Sequence, residues 1–478
     1  MSQHNLNQND LTVQRAESLL RTGQFVDAAA LFERILTQSP NNFEAIRGMA
    51  EACYALGDKS SSRHYLNLAL QLSPEDPRSL NNSGVLLFHD KQYEMATEHL
   101  ALAASIDPDF PEAHFNLCTT LGRLTLKDQE SFIRPEQLMQ SLRWISEHAA
   151  DQSRQELVLL NESLRTSLLD QYRNSYEKAG LRVLLHSPSS SMGALYYIFE
   201  SWYQCLNFMG IETKLAIAGY PIDELVESFN PNVLLSVDVP QVAGTINWRF
   251  LYGHLNRHRL LIGLCSEFQA PQQNADFYVT FHLDPRRDKQ LGRLALPILS
   301  LPFAFNPLLH RMLPAHPVFD YAFVGTNSPI KLQQTQEYLL PIVTTFSGIL
   351  AGTGWPGRFS NLNQADASFL YNFAKVCPNY HLQAQKATYN EVNERTHVLQ
   401  ACGAFQLCDL PMAAPDVYNE DELVTAKSPA EFATLFRYYL DEPEQRNEIV
   451  RRGMVRAWGA YSQFHVLKRF VEFAAERI

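Results

Sequence analysis

Four residues that can donate or accept a proton follow short apolar segments in the middle of the chain. They are His186, Asp238, Glu267 and His282. Apolar runs of this length are typical of buried parallel strands. Because ligands bind beyond the carboxyl ends of such strands, we expect these side chains at the rim of a site, where one of them acts as a general base. The sequence does not choose between the four.

Two glycine-containing turns follow predicted strands further along the chain. The first begins at Gly325-Thr326 and is followed by Lys331, and the second contains Gly352 and Gly354. Glycine lets the phosphates of a ligand approach the backbone, and helix N-termini attract anions. The two turns therefore predict a phosphate site. The alternative interpretation is that the glycines serve only tight packing and that the lysine is solvated.

A polar segment that begins at Asn393 is predicted to open a helix. The spacing Thr388-x-x-Glu391 is typical of a capping box, and Gly403 fits the end of the same helix. The positive end of the helix dipole then lies near Asn393 and faces an anionic ligand.

Three side chains of this helix are candidates for contact with that ligand: Glu394, Arg395 and His397. A guanidinium group can bind phosphate through two hydrogen bonds, so Arg395 is predicted to hold a diphosphate. The alternative for Arg395 is an ion pair with Glu391, four residues earlier. His397 either hydrogen-bonds the ligand or is a partly buried structural histidine.

The elements that precede these residues begin with a repeat. Pro40, Pro74 and Pro108 stand 34 residues apart, and small residues recur in phase with them at Ala16, Ala50 and Gly84. This period and these small residues resemble the tetratricopeptide-repeat (TPR) family, which implies a solenoid of paired helices. Such a solenoid typically binds protein segments. The alternative is a rigid spacer or an oligomerisation surface.

After the repeats, strand-like and helix-like segments alternate, which predicts parallel sheets covered by helices. The expected fold class is α/β with an all-α N-terminal part, in which a TPR solenoid precedes two Rossmann-like domains. The expected divisions are repeats over 1–125, a helical linker and cap over 126–179, and α/β domains over 180–312 and 313–478.

The C-terminal segment carries a second resemblance. Asn393-Glu-Arg-Thr-His-Val-Leu-Gln-Ala-Cys-Gly403 leads into Ala404-Phe-Gln-Leu-Cys-Asp409, which is similar to the CgeB-like group of GT-B glycosyltransferases. The resemblance implies a metal-independent hexosyl or related transfer from a nucleotide-diphosphate sugar to a hydroxyl group, with no cofactor. It implies a donor site made by Gly325, Thr326, Lys331, Gly352, Gly354, Asn393, Glu394, Arg395 and His397. An inverting and a retaining course remain open.

The sequence departs from the family pattern at one position of this motif. Val398 stands where the family has a glutamate that holds the ribose hydroxyls, and Glu394 lies one helical turn earlier on the same face. We expect Glu394 to substitute for the missing carboxylate. The competing interpretation is a catalytically weak GT-B scaffold whose repeats recruit partners for envelope or polysaccharide assembly.

Composition limits the partners and the compartment. A net charge of −11 disfavours nucleic acid as a partner. No segment reaches the roughly 18 apolar residues of a membrane span, and the seven cysteines show no metal-binding spacing. We therefore expect a cytoplasmic enzyme without a metal, whose partners are a nucleotide sugar and a protein acceptor docked by the repeats.

Overall fold

The computed structural model describes residues 3–124, 135–187, 194–217, 219–237, 260–264, 275–287, 291, 297–355 and 362–478. The chain forms two compact units. The first covers Met1–Ala150, and the second begins at Asp151 and continues to Ile478. Within the described residues, none of the helices has the length and apolar character to cross a bilayer.

The first unit is all helical. Its helices are α1 (Gln3–Arg21), α2 (Phe25–Gln38), α3 (Phe43–Ala55), α4 (Lys59–Leu72), α5 (Pro77–His89), α6 (Tyr93–Ile106), α7 (Pro111–Leu121) and α8 (Pro135–His148). The small residues predicted at the helix contacts are buried, and a Cβ on Gly84 would lie 2.5 Å from Leu100 Cγ. Gly23 and Gly57 take positive φ in the turns within the first two repeats, as a TPR array requires.

The second unit opens with α9 (Gln155–Tyr172) and a six-stranded sheet. All of its strand pairs are parallel, in the order β2-β1-β3-β4-β5-β6. The strands are β1 (Arg182–His186), β2 (Glu212–Ala216), β3 (Val233–Val237), β4 (Leu260–Leu264), β5 (Phe277–Thr280) and β6 (Ile298–Ser300). Two described helices accompany them, α10 (Ala194–Phe208) and α11 (Ile222–Phe229).

A second parallel sheet follows, in the order β11-β10-β9-β7-β8. Its strands are β7 (Phe319–Val324), β8 (Gly348–Ala351), β9 (Ala374–Asn379), β10 (Gln406–Asp409) and β11 (Val424–Ala426). Short helical turns cover Pro329–Val343. The helices are α12 (Gln364–Tyr371), α13 (Gln383–Ala387), α14 (Glu394–Ala401), α15 (Ala414–Val417), α16 (Pro429–Leu440), α17 (Pro443–Ala460) and α18 (Gln463–Ala475).

The last helix returns to the first sheet's domain. On α18, Gln463 Oε1 accepts a hydrogen bond of 2.9 Å from Trp202 Nε1 of α10, and Phe464 stacks on Phe208 at 5.2 Å. The fold class is therefore confirmed: helical repeats precede two separate parallel-sheet α/β domains, as in a GT-B protein.

The segment 126–179 is divided between the two units. Its helix α8 belongs to the first unit and α9 to the second. The second unit holds this end of the segment through buried polar side chains: Arg154 Nη2 donates to the Gly403 carbonyl at 2.7 Å, and Asn161 Nδ2 donates to the Ala401 carbonyl at 2.8 Å. This part of the chain stabilises the second α/β domain.

Candidate functional site

A cavity of about 490 Å³ lies between the two α/β domains. Tyr197 and Ile198 of α10 form one wall, and Phe303 and His310 of the connecting segment lie beside it. The remaining lining residues come from the second domain, after β7 and β8 and along α12 and α14. Ligands of open parallel sheets bind in this position, beyond the carboxyl ends of the strands.

The two glycine turns meet at the floor of the cavity. They follow the neighbouring strands β7 and β8, and Gly325 N donates to the Ala351 carbonyl at 2.9 Å. Gly352 has φ +118°, and a Cβ there would lie 2.4 Å from the Gly325 carbonyl oxygen. Glycine is required at position 352 on both counts.

Most of the predicted turn residues line the cavity. Gly325, Thr326, Lys331 and Gly352 are among its walls. Gly354 is not; it has φ +83°, and its carbonyl accepts a hydrogen bond of 3.1 Å from Asn327 Nδ2. Gly354 therefore shapes the turn that carries Gly352, and its contact with a ligand stays a prediction.

The helix that carries the polar motif begins later than the sequence pattern predicts. Its N-cap is Asn393, whose side chain accepts a hydrogen bond of 3.0 Å from Thr396 N. The predicted capping box is wrong because Thr388 N still bonds the Ala384 carbonyl of α13, while Glu391 accepts from Gln385 Nε2 at 2.7 Å. The predicted end at Gly403, with φ +62°, is confirmed.

Arg395 lies where the order of the second sheet reverses, between β7 and β9. Its Nη2 donates to the Val324 carbonyl at 2.8 Å, its Nη1 lies 3.4 Å from Asn379 Oδ1, and the guanidinium stacks 4.4 Å from the centre of the Phe323 ring. The group also lines the cavity. A half-buried cation is thus held at the topological switch point, the usual ligand position of this fold.

Comparison with known proteins agrees with this geometry. Residues 334–472 match a family model described as glycosyl transferase-like, and residues 19–81 match a tetratricopeptide-repeat model. This protein joins tetratricopeptide repeats to a glycosyl transferase-like domain. No curated protein matches the sequence.

Two solved structures match this chain at low identity. An O-GlcNAc transferase mutant of Thermobaculum terrenum is 13% identical with a TM-score of 0.36, and the alignment covers 100% of this chain and 99% of that one. A sucrose-phosphate synthase from Thermosynechococcus elongatus is 11% identical with a TM-score of 0.44, over 62% of this chain and 98% of that one.

Glu394 and Val398 share the cavity wall of the glycosyl transferase-like domain. Glu394 is half-buried as a residue, but its Oε1 is shielded from solvent and receives no hydrogen bond from any described residue. Burial raises the pKa of this carboxyl group to about 7, against the opposing effect of Arg395. Oε1 of Glu394 therefore has no hydrogen-bond partner within the described residues, and it lies one helical turn from Val398.

His397 faces away from the cavity. Its Nδ1 lies 2.9 Å from the Tyr418 hydroxyl, and its ring packs 4.8 Å from the Tyr461 ring centre. Burial lowers the pKa of the imidazole to about 3. Because His397 is two residues after Arg395, it points to the opposite side of α14, so the structure assigns it a packing role instead of the predicted ligand contact.

The structure describes two of the four candidate bases, His186 and His282. Asp238 and Glu267 lie outside the described residues. His186 ends β1, where Nδ1 lies 2.8 Å from Ser236 Oγ of β3, and burial lowers its pKa to about 4. His282 is buried, with its ring edge-on to Tyr389 at 5.4 Å. Neither described histidine lines the cavity.

A buried polar cluster supports the glycosyl transferase-like domain beneath α14. The side chains of His381, Cys408 and Asp409 place their polar atoms within 4.8 Å of one another. His381 Nδ1 lies 2.7 Å from Asp409 Oδ1, and the Lys386 ammonium lies 3.6 Å from the other carboxylate oxygen. The carboxylate is thus met by an imidazole and an ammonium group, as expected for a buried charge.

The cavity residues that sequence reasoning missed include His310 and Tyr371. His310 lies just before the predicted domain boundary between residues 312 and 313. Its position was the available signal, because both walls of a two-domain cleft meet the connecting segment. Tyr371 lies inside a helix of ordinary composition and had no such signal.

Proposed function

We propose that this chain is a glycosyltransferase that moves a hexosyl or related sugar from a nucleotide-diphosphate donor to a hydroxyl group. One observation carries the proposal: the guanidinium of Arg395 lies at the switch point of the sheet and opens onto the inter-domain cavity. The glycosyl transferase-like match covers this part of the chain.

We propose that the donor diphosphate lies against the glycine turns and the N-terminus of α14. The backbone at Gly325 and Gly352 has no side chains to keep phosphates away, and the first N–H groups of α14 attract anions. Arg395 and Lys331 both line the cavity and supply positive charge. In this proposal the diphosphate charge is met by protein groups, without a metal ion or another cofactor.

The proposed partner of Glu394 is a hydroxyl group of the donor. Its shielded Oε1 can accept a hydrogen bond that no described residue provides, and this would repay the cost of burying the carboxyl group. The group thus takes over the role of the family glutamate that Val398 replaces.

We propose that the acceptor is a polypeptide that binds to the repeats. A chain of polar side chains runs across α3, α5 and α7: Asn82 Nδ2 donates to Glu51 Oε1 at 3.2 Å, Asn81 Nδ2 to Asn82 Oδ1 at 3.2 Å, and Asn116 Nδ2 to Asn81 Oδ1 at 2.9 Å. Amides offer both donors and acceptors, which suits the backbone of an extended peptide. The proposed location of this reaction is the cytoplasm.

A panel of nucleotide sugars tests the donor proposal. A donor at about 100 times its dissociation constant should add about 2.7 kcal/mol to the free energy of unfolding, and the same donor should be slowly hydrolysed. Binding without hydrolysis or transfer would favour the scaffold interpretation, to which Val398 in the cavity wall lends support. Absence of binding by every nucleotide sugar would refute both.

A further inference from the structure

His310 belongs to neither sheet. It lies in the connection between the two α/β domains, is only 3% exposed, and lines the same cavity as the glycine turns and α14. The glycosyl transferase-like match does not include His310, because that match begins at residue 334.

The ring of His310 is held by a fixed turn. Its Nδ1 accepts a hydrogen bond of 2.9 Å from the backbone N–H of Asn306. Asn306 is itself held, since its Nδ2 donates to Gln204 Oε1 at 2.8 Å and its Oδ1 accepts from Leu308 N at 2.9 Å. The orientation of the imidazole therefore follows from the fold.

The same hydrogen bond decides which nitrogen of His310 carries the proton. A nitrogen that accepts from a backbone N–H has no proton of its own, so a neutral ring carries its proton on Nε2. Burial lowers the pKa of His310 to about 3, which keeps the ring neutral near pH 7. No described residue forms a hydrogen bond with Nε2. This nitrogen is also not one of the solvent-shielded polar atoms that lack a partner within the described residues. The Nε2–H group is thus available to a molecule in the cavity.

We propose that His310 is a further donor-binding residue, whose Nε2–H donates a hydrogen bond to a phosphate oxygen of the nucleotide-diphosphate substrate. The proposal rests on the proposed function and adds the connecting segment to the binding site. Arg395 and Lys331 in the lining of the same cavity make an anion the expected occupant. When the bond from the sugar carbon to the phosphate oxygen breaks, negative charge grows on the phosphate. A neutral N–H donor then binds more tightly without giving up its proton.

Three substitutions separate ligand binding from the structural bond to Asn306. His310→Asn keeps an acceptor near the position of Nδ1 but removes the Nε2–H donor. His310→Gln places an amide donor near the position of Nε2 but loses the acceptor that holds the turn. His310→Phe removes both. The full-length protein carries each change, and thermal unfolding reports the effect on the fold.

The measurement is the affinity for uridine, guanosine, adenosine and thymidine diphosphates and for the matching nucleosides. For whichever diphosphate binds, we expect His310→Asn and His310→Phe to weaken affinity about 10-fold or more, as for a lost hydrogen bond to a charged group. His310→Gln should retain most of the affinity. Affinity for the matching nucleoside should change less than about twofold in all three, because it lacks the phosphate.

The possible failures are distinguishable. If no diphosphate binds to the unmodified protein, the proposed function fails together with this inference. If a diphosphate binds and His310→Asn matches the unmodified protein while His310→Gln is impaired, His310 only holds the turn at Asn306, and this inference alone is overturned. Equal losses for nucleoside and diphosphate would also overturn it.

Discussion

At the scale of single residues, α14 shows how one short helix separates binding from packing. Glu394, Arg395 and Val398 line the cavity, whereas His397 packs between tyrosine rings on the other side. The helical period of 3.6 residues explains this division. Arg395 also fills the space that a side chain at position 325 would need, since a Cβ there would lie 2.2 Å from its Nη2.

Replacement of Arg395 by alanine should weaken donor binding by about 1–3 kcal/mol, because a charge-assisted hydrogen bond to the diphosphate is lost. Isothermal titration with the best-binding nucleotide measures the change. Arg456→Ala is a matched control, since Arg456 also donates to a carbonyl, that of Val417, and stacks on a tyrosine ring away from the cavity walls. Equal affinities in the Arg395 variant and the unmodified protein would show that Arg395 has only a structural role.

Glu394 should make stability depend on pH. Its folded pKa of about 7 lies above the ordinary value of 4.5, so between these values the unfolded chain has released a proton that the folded chain still binds. The contribution of Glu394 to the free energy of unfolding therefore falls as pH rises from about 4.5 to about 7, and it is constant above pH 7.

Denaturant unfolding of Glu394→Gln checks this dependence. The variant should gain stability relative to the unmodified protein across that pH interval, and the difference should stop growing above pH 7. Glu391→Gln on the preceding segment is a control for a buried carboxyl group nearby. A difference between Glu394→Gln and the unmodified protein that does not change with pH would show that Glu394 is ionised throughout.

At the scale of elements, the site depends on two strand-to-helix turns that touch. The contact between Gly325 and Gly352 brings the carboxyl ends of β7 and β8 together, and Trp355 Nε1 adds a hydrogen bond of 2.6 Å to the Gly325 carbonyl. The floor of the cavity is therefore a rigid backbone surface, with few side chains between it and a bound phosphate.

Gly352→Ala should separate these turns and abolish nucleotide binding. The new Cβ meets a backbone atom at 2.4 Å, in addition to the strain of φ +118°. Gly57→Ala isolates the strain, because Gly57 has φ +84° with no atom within 4 Å of its Cβ position; it should cost about 1–2 kcal/mol and leave binding intact. Thermal unfolding and titration of both variants provide the test, which fails if Gly352→Ala binds nucleotide normally.

At the scale of the whole molecule, the chain combines a repeat unit with a unit of two α/β domains. A transferase for small acceptors has no need of a helical array. In the proposed function, a protein acceptor held by the repeats would gain effective concentration at the cavity, which would raise turnover without new contacts in the active site.

Removal of residues 1–150, which form the first unit, should leave donor hydrolysis unchanged and sharply reduce transfer to the natural protein acceptor. In the full chain, Asn116→Ala should also reduce transfer, because it breaks the amide connection to Asn81. Asn67→Ala on the exposed side of α4 is the control. Undiminished transfer by the truncated enzyme would identify the repeats as a spacer or an oligomerisation surface.

The sequence by itself determined the elements of this protein. Strands β3, β4 and β5 lie where their apolar runs predicted, and the repeat period located the TPR helices, because burial of a strand or a helix face imposes a local pattern on neighbouring residues. The glycine turns were visible for the same reason, since a positive φ or a close backbone approach selects glycine at one position.

Only the tertiary structure decided which polar residues meet. His310 and Arg395 share a cavity although 85 positions separate them in the chain, and His186 pairs with Ser236 through the order of the first sheet. The start of α14 was also misplaced by sequence, since Thr388 remained bonded to the preceding helix. Strand order and domain packing bring distant segments together, and neither leaves a local pattern in the residues that it joins.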